Sequence, residues 1–229
     1  MLSGPSTPDL PRRAAAEAVG TGLLVLAVIG SGIAAARLTD DAGLRLLLNA
    51  AATAGALVAV ILAVGPVSGA HLNPVVSLAD RVLGGLTAAE AGVYCGAQLA
   101  GGALGAVLAN VIFALPAVSL SSHPRSSGPL WASEVVATFG LLLVVFGVGR
   151  SGRSAAAPFA VAAYIGGAYF FTSSTSFANP AVTLARTLSD TFAGIAPASA
   201  PAFVVAQTVG GGLATALVRW LYPIERTRP

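Results

Sequence analysis

Lysine is absent from this 229-residue chain, and charge of either sign is scarce: 12 arginines and 9 acidic residues make up 9% of the positions. A soluble domain carries nearer a quarter of its residues as charges, so a water-exposed globule is excluded. A single cysteine, Cys95, excludes an internal disulfide and a thiolate cluster for a metal. The net charge of +3 comes entirely from scattered arginines, not interleaved with the few aromatics, which removes the case for nucleic-acid binding. There is no Ser-His-Asp set, no paired catalytic carboxylates and no phosphate loop. No enzyme activity, cofactor or metal is expected.

What remains is apolar. Hydrophobic residues make up 55% of the chain and the mean hydropathy is +0.83. Six long runs approach the ~20 residues a helix needs to cross ~30 Å of hydrocarbon. They cover about Ala14 to Ala36, Leu44 to Val64, Ala88 to Phe113, Leu130 to Val148, Ala155 to Phe171 and Ala198 to Leu221. Small residues in "CGAQLAGGALGA" and "AQTVGGGLATA" suit close helix–helix contact in a membrane bundle. The Pro- and Ser-rich residues 1–13 are expected to form a disordered cytoplasmic tail, and residues 223–229 a second one. The run after Arg13 is long enough to span and lacks a convincing cleavage site, so no cleavable signal peptide is expected.

The two halves repeat. "AEAVGTGLLVL" in the first span matches "SEVVATFGLLL" in the fourth, pairing Glu17 with Glu134 and Thr21 with Thr138. "SGAHLNPVVSLADR" is echoed by "STSFANPAVTLAR", and Gln98 by Gln207. Three spans per copy, about 14–113 and 130–222, force the second copy into the membrane upside down: an inverted repeat. Arg12, Arg13, Arg81, Arg150, Arg153, Arg226 and Arg228 fall on the side of the termini, against Arg37, Arg45, Arg125 and Arg186 on the other. That excess predicts cytoplasmic termini.

The repeated Asn-Pro segments are too short to span. Asn is a strong N-cap and proline suits the first helical turn, so each segment starts a short helix. Two such half-helices entering from opposite faces meet N-terminus to N-terminus near the bilayer midplane. Irregular backbone at that depth requires protein or a watery cavity around it. The geometry implies a pore in which Asn73 and Asn179 present amides to solute and the facing positive helix ends repel cations.

At these motifs the chain resembles the aquaporin and aquaglyceroporin family (major intrinsic proteins), over about Ala16 to Leu221. "AEAVGT", "SGAHLNPVVSLA", "SEVVATF" and "FANPAVTLAR" carry the resemblance. It implies an all-α channel domain over 14–222, with six transmembrane helices, two re-entrant half-helices, one pore per subunit and a homotetramer in the cell membrane. Its motif residues are Asn73, Pro74, Val75, Asn179, Pro180 and Ala181, with Val75 replacing the common Ala. Glu17 and Glu134, expensive inside spans, are implied to hydrogen-bond the re-entrant backbone. His71 is assigned to the cytoplasmic vestibule.

The departures concern selectivity. Most members have Arg three residues after the second Asn, where Val182 stands. Arg186, a further turn along the half-helix, is expected to miss the constriction. The other filter positions are Thr53, Ser176 and either Gly167, counting back from Asn179, or Tyr169, aligning on Pro158. The expected filter is wide, lacks a fixed cation and offers the hydroxyls of Thr172 to Ser176. This is similar to bacterial aquaglyceroporins of arsenic-resistance operons, which pass uncharged metalloid hydroxides and methylated arsenicals. A relaxed filter for glycerol, urea and water is the equal alternative. A water-selective aquaporin, a proton-coupled secondary transporter and a junction-forming membrane protein stand behind it. The transporter would need coupling carboxylates beside Asn73 and Asn179, and none accompanies them. Cys95 is expected to pack.

Overall fold

The computed structural model of the chain describes residues 8–223. Helices α1 (Leu10–Leu38), α2 (Ala42–Ser68), α4 (Ala88–Ile112), α5 (Gly128–Arg150), α6 (Ala157–Phe171) and α8 (Ala200–Leu221) form the long elements. The six stretches built on them are long and apolar enough to cross a membrane. Two short helices, α3 (Pro74–Leu83) and α7 (Pro180–Ala185), begin at the Asn-Pro segments. No strand occurs among the described residues. The protein is an all-α, multi-pass membrane protein.

Helix ends follow local capping chemistry more than hydropathy. α1 starts four residues before the apolar run, because the Asp9 side chain accepts from Arg12 N and Pro11 lies in the first turn. Residues 10–13, expected in a disordered tail, are therefore helical. The predicted tails at 1–7 and 224–229, with Arg226 and Arg228, lie outside the described residues. α2 likewise starts early, at an Asp41 cap on Leu44 N, and ends at Gly69 in the left-handed conformation (φ 87°). α4 opens with a capping box between Thr87 and Glu90. Glu90 also binds Arg13 at 2.7 Å, and the same arginine donates to Tyr94 Oη at 2.8 Å. These contacts fix the start of α1 against the start of α4.

The repeat is visible in the packing. α1 lies along α4 as α5 lies along α8, and the two copies join where α2 meets α6. Close approach requires glycine: a Cβ at Gly101 or Gly105 would strike the Ala18 and Gly22 carbonyls, and one at Gly210 would strike Val135 O. Each half-helix rests on the last helix of both copies, α3 on α4 and α8, α7 on α8 and α4. That places Pro74 and Pro180 deep in the molecule, both buried. Large apolar side chains such as Leu104, Leu108, Val205 and Leu213 face outward, as expected where lipid is the solvent.

Candidate pore

The two Asn-Pro segments are built as mirror tasks. Asn73 Oδ1 accepts from Val75 N at 2.9 Å, and Asn179 Oδ1 accepts from Ala181 N at 2.9 Å and Val182 N at 3.3 Å. Each amide then reaches across: Asn73 Nδ2 donates to Ala178 O and Asn179 Nδ2 to Leu72 O, both at 2.7 Å. The half-helices therefore meet N-terminus to N-terminus and are tied there. One N–H of each amide is spent on this tie, so only the other is left for a solute.

The approach to each Asn is strained in the same way. Ala70 and Leu72 have φ of 50° and 51°, and Ser176 and Ala178, at the same offsets before Asn179, have 53° and 49°. Left-handed backbone at non-glycine residues costs ~1–3 kcal/mol each and persists only when its surroundings enforce it. Two buried glutamates do so. Glu17 accepts from Ser68 Oγ, His71 N, Leu72 N and Gln98 Nε2 at 2.6–2.9 Å. Glu134 accepts from Phe177 N, Ala178 N and Gln207 Nε2 at 2.6–3.0 Å. The glutamines also bind the hydroxyl four residues after each Asn, Ser77 for Gln98 and Thr183 for Gln207. Ser77 and Thr183 were not singled out in the sequence, although the matching small hydroxyls of "NPVVS" and "NPAVT" signal them.

A cavity of about 120 Å³ runs past both Asn residues, large enough for several waters. Its end near the chain termini is bordered by Gly69, Ala70 and His71. His71 Nδ1 lies 3.1 Å from Ser77 Oγ and its ring packs edge-on to Tyr94. Leu24, Val28, Leu57, Ile61, Leu141 and Ile165 supply apolar wall between the two ends. The far end is ringed by Thr53, Tyr169, Ser176, Phe177, Val182 and Arg186. The Thr53 and Tyr169 hydroxyls are 3.1 Å apart, and Ser176 Oγ is buried without a protein partner.

The cavity wall takes in some of the residues expected at the filter and leaves out others. Tyr169 borders the cavity, whereas Gly167 is exposed on the opposite face of α6 beside Phe171. The count back from Asn179 fails because the loop is two residues shorter than that count assumes. Of the hydroxyls from Thr172 to Ser176, only Ser176 borders the cavity; Thr172 bonds back to Ala168 O and Ser173 to Ser133. Val75 does not border it; a side chain at Gly211 would strike Val75, so that residue packs behind the half-helix on α8. Ala181 is likewise buried and does not border the cavity, and its carbonyl lies close to Gly102 on α4. Cys95 is half-buried on α4 and away from the cavity, with Sγ 4.0 Å from Pro74 O.

Arg186, expected outside the constriction, is 2% exposed and belongs to the cavity wall, so the far end of the cavity does contain a cation. Residues four apart share a helix face, and helical side chains lean toward the N-terminus. From the end of α7, the long arginine side chain thus reaches back along the Val182 face. Its guanidinium lies 3.4 Å from the centre of the Phe177 ring, and Nε donates to Ala193 O. Phe177, missed in the sequence, also carries Arg125 at 5.2 Å. Burial pulls the Arg125 pKa below the ordinary guanidinium value. In the adjacent loop, the Ser122 backbone N–H, and secondarily its hydroxyl, hold the Asp190 carboxyl below its usual pKa. No cluster of potential metal ligands occurs among the described residues.

Four of the six candidate spans, α1, α2, α5 and α6, line this cavity together with the two Asn-Pro segments, which is the layout of a transmembrane channel. Residues 5–178 match the family model for major intrinsic protein, ending one residue before Asn179. Aquaglyceroporin AqpS of Rhizobium meliloti is 48% identical over 96% of this chain and 94% of its own. A probable TIP-type alpha aquaporin of Phaseolus vulgaris is 34% identical over 69% of this chain and 66% of that one. The X-ray structure of the aquaglyceroporin from Plasmodium falciparum shares the fold, with a TM-score of 0.72 over 91% of this chain and 95% of that one at 22% identity. The chain belongs to the major intrinsic protein family, which marks it as a channel for water or small solutes.

Proposed function

We propose that the chain is a passive, uncoupled pore for small uncharged hydroxylated solutes. Glycerol-like polyols, neutral metalloid hydroxides such as arsenite, methylated arsenicals and water form the substrate class. The observation that carries this reading is the far end of the cavity. Thr53, Tyr169 and Ser176 supply hydroxyls there, while Val182 and Phe177 keep part of the wall apolar. Such a ring matches a solute with oxygens on one side and a less polar surface on the other, and a lone water uses only part of it. Both carboxylate oxygens of Glu17 and of Glu134 are engaged by loop N–H and side-chain donors, which argues against a coupling carboxylate. The channel domain spans 14–222 in the cell membrane, with cytoplasmic termini and four copies per assembly; the arginine asymmetry supports the orientation.

The test is a solute panel in proteoliposomes: water, glycerol, urea, arsenite and methylated arsenicals, with and without a proton gradient. The proposal expects glycerol and at least one metalloid solute to equilibrate in parallel with water, indifferent to the gradient. Water flux alone would replace it with a water-selective pore. Accumulation driven by the gradient would replace it with a coupled transporter.

A further inference from the structure

Arginine carries five N–H donors. Among the described residues, Arg186 spends one, the Nε–H on Ala193 O. Its two Nη nitrogens bond to no protein atom among the described residues, yet they are not among the fully buried unpaired atoms. The side chain is 98% buried and part of the cavity wall, so the Nη groups keep access to the cavity itself. No carboxylate lies within ion-pairing distance of the guanidinium among the described residues; it lies over the Phe177 ring, as Arg125 also does at greater distance. A buried guanidinium with four unspent donors and no counter-ion is costly unless something in the cavity meets it.

We propose that Arg186 is the fixed cation of the pore's far end and a specificity-determining residue for the solutes that pass. This rests on the channel reading above. The Nη donors hydrogen-bond the oxygens of passing neutral solutes, and the charge adds to the barrier against cations, hydronium included. Ala193 O and the Phe177 face fix the direction of the fork, and Thr53 and Tyr169 complete the ring. Because the cation arrives from residue 186, position 182 is left to a valine. The same ring thus holds donors on one wall and apolar surface on another. The ligand class this selects is a small, uncharged, oxygen-rich molecule with at least one apolar flank.

The test compares wild type, Arg186→Gln and Arg186→Lys in proteoliposomes, with flux normalised to folded, membrane-inserted protein. Water and glycerol entry are followed by light scattering, and proton and potassium leak by an internal dye. In Arg186→Gln the leak should rise roughly tenfold, a barrier change of ~1.4 kcal/mol, while water still passes. Arg186→Lys keeps the charge but loses the planar fork. It should stay tight to cations while its glycerol-to-water ratio shifts. If Arg186→Gln inserts, conducts water and leaks no more than wild type, with its glycerol-to-water ratio unchanged, Arg186 merely pins the Ala193 loop and the proposal fails. Should Arg186→Gln not insert, Arg186→Lys decides alone: a wild-type ratio overturns the proposal, and an altered ratio with no leak sustains it. Wild-type vesicles no more permeable to any neutral solute than protein-free ones would refute the channel reading itself, and this proposal with it.

Discussion

Replacing Glu17 by glutamine exchanges one oxygen of a four-fold acceptor for an NH2 group, and the structure lets the consequence be followed donor by donor. Oε1 accepts from Ser68 Oγ and His71 N, and Oε2 from Leu72 N and Gln98 Nε2. If the new NH2 takes the first position, Ser68 can rotate to accept, but the His71 N–H faces another donor. If it takes the second, Gln98 can flip its amide, whose Oε1 has no partner, but the Leu72 N–H is orphaned. One backbone N–H is lost either way, at ~1–3 kcal/mol, and the other bonds lose their charge assistance. A total near ~2–4 kcal/mol follows. The anchored loop also holds Ala70 and Leu72 in left-handed conformations, so a weakened anchor lets the approach to Asn73 relax. Glu134→Gln meets the same obstacle at Phe177 N or Ala178 N. The assay is unfolding of purified protein in detergent micelles, paired with stopped-flow water and glycerol permeability per folded molecule. Both variants should lose stability by that amount and lose flux beyond their loss of folded protein. Stability within ~0.5 kcal/mol of wild type with normal flux would refute the anchoring argument.

Other outcomes test separate parts of the structure. Val182→Arg adds a second cation beside Arg186 and fills the apolar flank; glycerol entry should fall ~tenfold relative to water, ~1.4 kcal/mol, and an equal loss of both would remove Val182 from the selective ring. Gly105→Val should destabilise by ~3 kcal/mol, the upper part of the overpacking range, because its Cβ meets the Gly22 carbonyl; Gly96→Ala, whose Cβ meets nothing, should be neutral or slightly stabilising in the same unfolding assay. Mercurials should inhibit weakly, since Cys95 is not in the cavity wall; strong block that vanishes in Cys95→Ala would contradict that placement. The Asp190 tether to Ser122 has a depressed folded pKa, so it contributes fully above the unfolded value of ~3.9 and is lost as pH falls through the lower folded one. Hydrogen exchange of the Ser122 amide should therefore be flat, after correction for intrinsic rate, from pH 5 to 8 and lose protection only in stronger acid; loss near pH 6 would assign the tether to another group.

The long elements were legible because hydropathy and the internal repeat are properties of the chain alone. Three spans per copy, an Asn-Pro in each and paired glutamates are enough to predict an inverted bundle with two half-helices, and the packing of α1 on α4 and α5 on α8 follows it. What hydropathy misplaced were the ends. Asp9 and Asp41 cap helices outside the apolar runs, and a cap is worth about 1 kcal/mol whatever the hydropathy beyond it. The choice between Gly167 and Tyr169 was undecidable by counting, since a loop two residues shorter moves α6 by more than half a turn relative to Asn179.

Arg186 shows a different limit. Helical spacing places its Cα a turn beyond Val182, and from the backbone alone the guanidinium belongs outside the constriction. A backbone position constrains a short side chain closely and a long one poorly. Arginine's extended side chain exceeds the ~6 Å that separates residues four apart along a helix, and the lean of helical side chains toward the N-terminus directs it back over that turn. What finally sets its direction is tertiary: the Ala193 carbonyl and the Phe177 face, supplied by segments that flank α7 on either side. The two Asn amides illustrate the same point in reverse. Sequence directs them at solute, but each finds a carbonyl of the loop leading into the opposite half-helix 2.7 Å away. Motif reading locates the residues of such a pore well. Which donors can meet a solute is a property of the assembled loops: Arg186 and Arg125 lie over the same Phe177 ring and each gives Nε to a loop carbonyl, Ala193 O and Gly194 O, but only Arg186 belongs to the cavity wall.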